Sequence, residues 1–246
     1  MDEKLADILK YLRLPGLLAH WDEILAVARK RRFSHARLLQ HVLEQEYSHK
    51  SERARDLRLK RARIPEPFVI ETFPFARQPK LDRKKILTLY DNLDTMTHCR
   101  NMIWIGPTGC GKTGLATSFL IHAIHQGYTG KYVSFPELAD ELYTALADHT
   151  EQKILKRYLS VDCLLIDELG YIELEPIQVG HFFTLMQKRH KHKPTLLTSN
   201  LGFSEWASFL KNDHLTAALI DRLTENSHVI NMKNCTSLRP KLSQET

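Results

Sequence analysis

Eight residues near the middle of the chain, Gly106-Pro107-Thr108-Gly109-Cys110-Gly111-Lys112-Thr113, have the spacing G-x-x-x-x-G-K-[ST]. Each residue type has a physical task in that pattern. Glycines let the backbone curl until its N–H groups point at phosphate oxygens, the lysine neutralises the β and γ phosphates, and the final hydroxyl binds magnesium. The run from Gly106 to Thr113 is therefore the candidate ATP-binding loop, with ATP and Mg2+ as cofactors. Cys110 has two readings. A helix N-terminus favours thiolate and would suit a redox switch, whereas a small side chain that merely fills the loop needs no chemistry.

Three further groups have types and positions suited to phosphoryl transfer. Leu164-Leu165-Ile166-Asp167-Glu168 reads as a buried strand ending in two carboxylates, and parallel sheets deliver ligands at that end. Asp167 is placed to hold the magnesium through water, and Glu168 to orient and polarise an attacking water. The alternative is an acidic pair that only caps the next turn. Asn200, closing Thr198-Ser199-Asn200, either holds the same water or serves as an ordinary turn residue. Arg222 falls on the same helical stripe as Leu215, Leu219 and Leu223. Its charge needs a partner, and the residues leave two possibilities level: an internal acid such as Glu225, or the ATP of an adjacent subunit.

To bring these groups together the chain needs a sheet with helices on both faces. Apolar runs predict strands at Met102 to Ile105, Lys131 to Phe135, Cys163 to Asp167, Thr195 to Ser199 and Val229 to Met232. Helical spacing fills the intervals Lys112 to Gln126, Glu137 to Asp148, Ile177 to His192 and Leu215 to Asn226, with another helix near Asp82 to Met96. Strands alternating with helices imply an α/β domain with a five-stranded parallel sheet. The residues before it are different. A helix from Leu17 to Ala28 precedes a second beginning near Ser34, which is expected to bury Leu38, Leu39, Val42, Leu43 and Tyr47 before Pro65 and Pro67 stop it. The expected organisation is a helical basic domain at 1–67, an extended tether at 68–80 and an ATPase domain at 81–246.

Charge is concentrated in that first part. The whole chain carries +6, yet between Arg29 and Arg63 twelve Lys or Arg face four acids. Such asymmetry suits a polyanion, with Arg55, Arg58, Lys60, Arg61 and Arg63 the leading candidates for DNA phosphate contacts; a solvated helix face is the alternative. The four cysteines lie far apart with no C-x-x-C pair, which argues against a zinc site or a disulfide framework and fits a reducing, cytoplasmic setting. No run of about 18 apolar residues is present.

Taken together these motifs resemble the IstB-type helper ATPases of bacterial transposons, relatives of the DnaC-type helicase loaders within the AAA+ class. The resemblance runs from about Leu12 to Arg239. It rests on Leu12-Arg13-Leu14-Pro15-Gly16, Arg61-Ala62-Arg63-Ile64-Pro65, the phosphate loop, Asp167-Glu168-Leu169-Gly170-Tyr171, Thr198-Ser199-Asn200, Glu205-Trp206 and Asp221-Arg222-Leu223. It implies that Asp167 and Glu168 are the Walker B pair, Asn200 senses the γ phosphate, and Arg222 is a finger acting on a neighbour's ATP. The implied job is ATP-driven self-association on duplex DNA and delivery of the target to a DDE transposase, in the cytoplasm on the nucleoid. A DnaC-like replicative helicase loader is the alternative. Where the family has G-x-S-Y-R the chain has Cys235-Thr236-Ser237-Leu238-Arg239, so only a contact is expected of Arg239, and no C-terminal lid domain is expected.

Overall fold

The computed structural model describes residues 1–239, except the side chains at positions 146 and 147. It separates into two compact units, Met1–Leu57 and Arg58–Thr246. The first unit is helical. Helix α1 (Glu3–Tyr11) is capped by Asp2, whose carboxylate accepts the Leu5 N–H at 2.7 Å, and α2 (Pro15–Lys30) opens on a proline whose missing N–H costs nothing there. Helix α3 (His35–Ala62) follows and runs on past the unit boundary. Leu9, Leu17 and Ile24 make the small core, with Trp21 and Val42 packed on it. The buried Glu46 carboxylate accepts the Leu17 N–H at 2.8 Å, satisfying one of the free donors at the start of α2.

The expected apolar face of α3 is only partly buried. Leu38 and Val42 are half-buried, but Leu39, Leu43 and Tyr47 are 65%, 66% and 75% exposed. Positions 39, 43 and 47 lie to one side of the seam that holds Val42 and Glu46, and the unit's small core does not reach them.

The second unit is built on five parallel strands: β1 (Asn101–Ile105), β2 (Gly130–Ser134), β3 (Cys163–Leu169), β4 (Thr195–Ser199) and β5 (Ser227–Asn231). Their order is β2-β3-β4-β1-β5. Side chains alternate between two cores. Ile103, Ile105, Val133, Leu164, Ile166 and Leu197 face α7 (Phe135–Ala147), α8 (Glu151–Ser160), α9 (Pro176–Arg189), α10 (Trp206–Leu210) and α11 (Asp213–Thr224). Met102, Trp104, Leu165, Leu196 and Ile230 face α4 (Arg83–Asn92), α5 (Asp94–Thr97) and α6 (Lys112–His125). Burial on both faces is why the central strands β3, β4 and β1 are largely apolar, whereas the edge strands β2 and β5 are only partly so. Helices α1, α8 and α10 had no counterpart among the expected elements.

Two expectations need correction. The helix proposed over Asp82 to Met96 is broken at Leu93, whose φ of +47° ends α4 and restarts the chain as α5. Residues 68–80 do not form an extended tether: 3-10 turns at Ile70–Thr72 and Phe75–Arg77 fold the segment back, and Phe73, with Phe68, Ile70 and Phe75, joins the core around α6. The prolines that read as linker punctuation instead turn aromatic side chains onto the sheet domain. Among the described residues no helix follows β5, and no helix is long and apolar enough to cross a membrane.

Candidate nucleotide site

β1 ends against the loop Gly106 to Thr113, and the Gly106 N–H donates to the Ser199 carbonyl at 3.1 Å, fixing the loop's root to β4. Gly109 and Gly111 have φ of +79° and +99°, a region that side chains disfavour. Gly111 is also the N-cap of α6, so the helix's free N–H groups open onto the loop. Lys112 Nζ donates to the Gly106 and Pro107 carbonyls at 2.7 and 2.9 Å. Burial lowers the pKa of this ammonium, while the nearby Cys110, Asp167 and Glu168 act in the opposite direction.

The loop is roofed by residues that motif reading did not assign. Gln78 donates to the carbonyls of Cys110 at 3.2 Å and Thr236 at 2.6 Å and accepts the Thr236 N–H at 3.0 Å. The Leu238 N–H donates to the Gly109 carbonyl at 2.8 Å. Phe73 lies so close to Gly111 that a Cβ there would come within 2.6 Å of its ring. A cavity of about 290 Å³ remains, lined by Gly109, Gly111, Lys112, Thr113, Leu238 and Arg239. Arg239 thus lies at the loop's mouth. Cys110 is fully buried, and burial raises its thiol pKa more than Lys112 lowers it, which favours the loop-filler reading.

Asp167 is 2% exposed and highly connected. Its oxygens accept from Thr113 Oγ1 at 3.0 and 3.1 Å, from Tyr132 Oη at 3.1 Å, and from the Thr198 hydroxyl. Burial and the adjacent Asp167 charge raise the Tyr132 pKa, so its hydroxyl stays a donor. Between the pairs Ile166 with Leu197 and Leu169 with Ser199, two residues of β3 oppose the single residue Thr198. This bulge puts Glu168 at φ +62° and turns it outward while Asp167 stays buried. A non-glycine residue in that region costs about 1–3 kcal/mol. Thr198 offsets part of it: its hydroxyl donates to Asp167 and accepts the Glu168 N–H at 3.0 Å. Thr198 is the site residue that motif reading passed over, although it lies in the same Thr198-Ser199-Asn200 run.

Asn200 is exposed at the end of β4, the strand between β3 and β1. It therefore stands between the Asp167–Glu168 strand end and the root of the phosphate loop. Arg222 is half-buried, donates to the Ala218 carbonyl of its own helix at 2.9 Å, and lies over the Phe183 ring at 4.9 Å. Glu225, the internal acid considered for it, is engaged elsewhere, by Lys191 at 2.5 Å and His190 at 3.1 Å. Among the described residues no carboxylate pairs with Arg222.

The candidate DNA residues do not form one set. Arg55 is in the first unit and pairs with Asp56 at 3.5 Å; the other four belong to the second unit. Arg58 and Arg61 line one cavity and Lys60 another, apolar one, while Arg63 ends α3 with φ +55°.

The model of the IstB-like ATP-binding proteins matches residues 7–246. The chain belongs to that family. It is 31% identical over 246 residues to the protein assigned as the ATP-binding protein of insertion sequence IS5376 of Geobacillus stearothermophilus, covering 100% of this chain and 98% of that one. Its counterpart from IS21 of Pseudomonas aeruginosa is 30% identical, with 92% and 85% covered. Among solved structures, DnaI (TM-score 0.54, 23% identity, 61% of this chain and 84% of that) and the DnaC helicase loader (0.54, 20%, 70% and 97%) share the fold. Like other IstB-like proteins, then, this chain is an ATP-binding protein, on a P-loop α/β core with the fold of DnaI and the DnaC helicase loader. A magnesium ion fits its donor set. Thr113 and Asp167 converge at 3.0 Å, and no cluster of three or more His, Cys, Asp or Glu able to hold a metal occurs among the described residues; two protein oxygens supplemented by phosphate and water suit magnesium.

Proposed function

We propose that this protein is a Mg2+-dependent ATPase that self-associates on duplex DNA and acts as a transposition helper. The observation that carries the catalytic part is the β3 bulge, which buries Asp167 beside Thr113 while turning Glu168 outward. Bound Mg2+ would supply charge neutralisation for the β and γ phosphates. The protein's own groups supply the rest: loop N–H groups and Lys112 hold phosphate oxygens, Thr113 and Asp167 hold the ion, and Glu168 orients water with Asn200 beside it. Arg222, with no acid partner among the described residues, reaches the ATP of an adjacent copy, so each site is completed between subunits.

The insertion-sequence relatives support the biological job, since they align over nearly the whole chain. In this reading ATP-bound copies assemble side by side on the target, the basic residues Arg55, Arg58, Lys60, Arg61 and Arg63 contact phosphates, the assembly presents the duplex to a DDE transposase, and hydrolysis resets it. Its place of action is the bacterial cytoplasm, on the nucleoid. The test is phosphate release with and without Mg2+ and duplex DNA, alongside sedimentation of the protein with ATP and DNA. Mg2+-dependent release and ATP-dependent assembly on duplex are expected; absence of turnover under all conditions would reduce the protein to a nucleotide clamp. Stimulation of strand transfer by the neighbouring transposase separates a transposition helper from a helicase loader.

A further inference from the structure

The opposite end of the sheet carries a concentration of cations that the nucleotide site does not use. Where β2 and β3 begin, a cavity of about 230 Å³ is lined by Arg58, Arg61, Thr129, Gly130, Ser160 and Val161. Arg58 and Arg61, three residues apart on α3, share one helix face. Arg58 Nε is sealed from solvent with no hydrogen-bond partner among the described residues. Arg157 pairs with Glu141. No ion pair to Arg58, Arg61, Arg63 or Lys131 occurs among the described residues.

Lys131, in the second position of the edge strand β2, is 8% exposed. Burial lowers its pKa most, Arg63 and Arg157 act in the same direction and Glu137 in the opposite one, so Arg63 and Arg157 both lie within electrostatic reach of this edge. The acid beside the cavity is already committed. Asp162 accepts the Thr129 N–H at 2.8 Å and hydroxyl at 2.6 Å, and it also faces the Arg189 guanidinium, whose pKa burial lowers to about 10 against the opposing pull of Cys163 and Asp162. A solvated face would spread its charges into water; here an arginine N–H is desolvated without a partner, an arrangement that costs stability until an acceptor fills it.

We propose that this cavity receives a phosphodiester group of duplex DNA, gripped between the Arg58 and Arg61 guanidiniums, with Arg63 and Lys131 adding to the positive field. The proposal rests on the DNA-binding reading above and deepens it by assigning a built contact to the ATPase unit. It also gives a geometry: β2 spans five residues, about 16 Å, so the DNA backbone and ATP engage opposite ends of one sheet and do not compete for the same groups.

Full-length protein is titrated with a fluorescent 30-base-pair duplex across a KCl series, comparing wild type, R58Q/R61Q and R55Q/K60Q. The two double variants remove equal charge from the same helix, and binding of a fluorescent ATP analogue verifies that each is folded. Loss of one phosphate contact lowers the log–log salt slope by about 0.9. That decrease is expected for R58Q/R61Q and a smaller one for R55Q/K60Q, because Arg55 is already paired with Asp56 and Lys60 is exposed, so each makes a weaker phosphate contact. Equal decreases in both would overturn the pocket and leave the broader DNA reading standing. No duplex binding by the wild type would overturn both.

Discussion

Asp167 and Arg222 are two charged groups of the same domain, and the chain treats them differently. Asp167 is buried and accepts hydrogen bonds from Thr113, Tyr132 and Thr198. Arg222 is half-buried and, among the described residues, meets a carbonyl of its own helix and the face of Phe183 but no carboxylate. A desolvated carboxylate held by three hydroxyls is already organised for use within its own subunit. A guanidinium held by an aromatic face and one carbonyl is oriented without being neutralised, since its remaining N–H groups can meet another acceptor. The contrast therefore divides the proposed catalytic centre into one half complete in a single chain and another half that needs a second copy.

The largest expected effect tests the first half. Lys112→Ala removes the loop's ammonium, and ATP affinity should fall at least about a hundredfold, because a charge-assisted contact to phosphate in a half-buried site is lost with nothing to replace it. Equilibrium titration with a fluorescent ATP analogue checks this, and unchanged affinity would end the assignment of the loop.

Next come Glu168→Gln and Arg222→Ala, which should both bind ATP and fail to hydrolyse it. Loss of a water-orienting carboxylate costs about 10²–10⁴ in rate, and loss of an arginine finger about 10³ or more. Mixing the two inactive variants breaks the comparison open. At some interfaces an intact Arg222 meets an intact Glu168, so turnover should return in the mixture if Arg222 acts across subunits. Co-assembly without recovery would place Arg222 in a role within its own chain, and the Phe183 contact would then be its purpose.

How legible these halves were differs for physical reasons. The central strands β3, β4 and β1 could be read because burial on both faces makes them largely apolar, the edge strands β2 and β5 from shorter apolar runs, and the phosphate loop because its spacing is mechanically constrained. The roof of the loop could not: Phe73 and Gln78 lie in a proline-punctuated stretch whose composition matches a linker, and only the packed fold shows Gln78 joining Cys110 to Thr236. The opposite error occurred on α3, where Leu39, Leu43 and Tyr47 have helical spacing yet stay exposed, since periodicity reports a face and not what covers it. The bulge in β3 was hidden too. A motif places Asp167 and Glu168 next to each other, but regular pleating would send them to opposite faces with equal access, and it takes Thr198 opposite two residues to bury one and present the other.

That role of Thr198 gives the smallest and most specific prediction. Thr198→Val preserves shape but removes the hydroxyl that donates to Asp167 and accepts the Glu168 N–H. Leaving buried groups unpaired costs about 1–3 kcal/mol, so the melting temperature should fall by several degrees. If Thr198 served only the sheet, the effect would end there, and hydrolysis well below the transition would proceed at the wild-type rate. If it sets the bulge, Glu168 loses its fixed direction and Asp167 one of its three hydroxyl partners. Turnover should then drop about tenfold, with ATP affinity nearly unchanged, since Lys112 and the loop N–H groups are untouched. Thr198→Ser restores the hydroxyl and should recover turnover more fully than stability, because the missing methyl is a packing loss and not a loss of the hydrogen bonds that aim Glu168. A Val variant with normal turnover, or a Ser variant no more active than Val, would show that the bulge stands without Thr198 and that the connected half of the site is less dependent on its neighbours than its hydrogen bonds suggest.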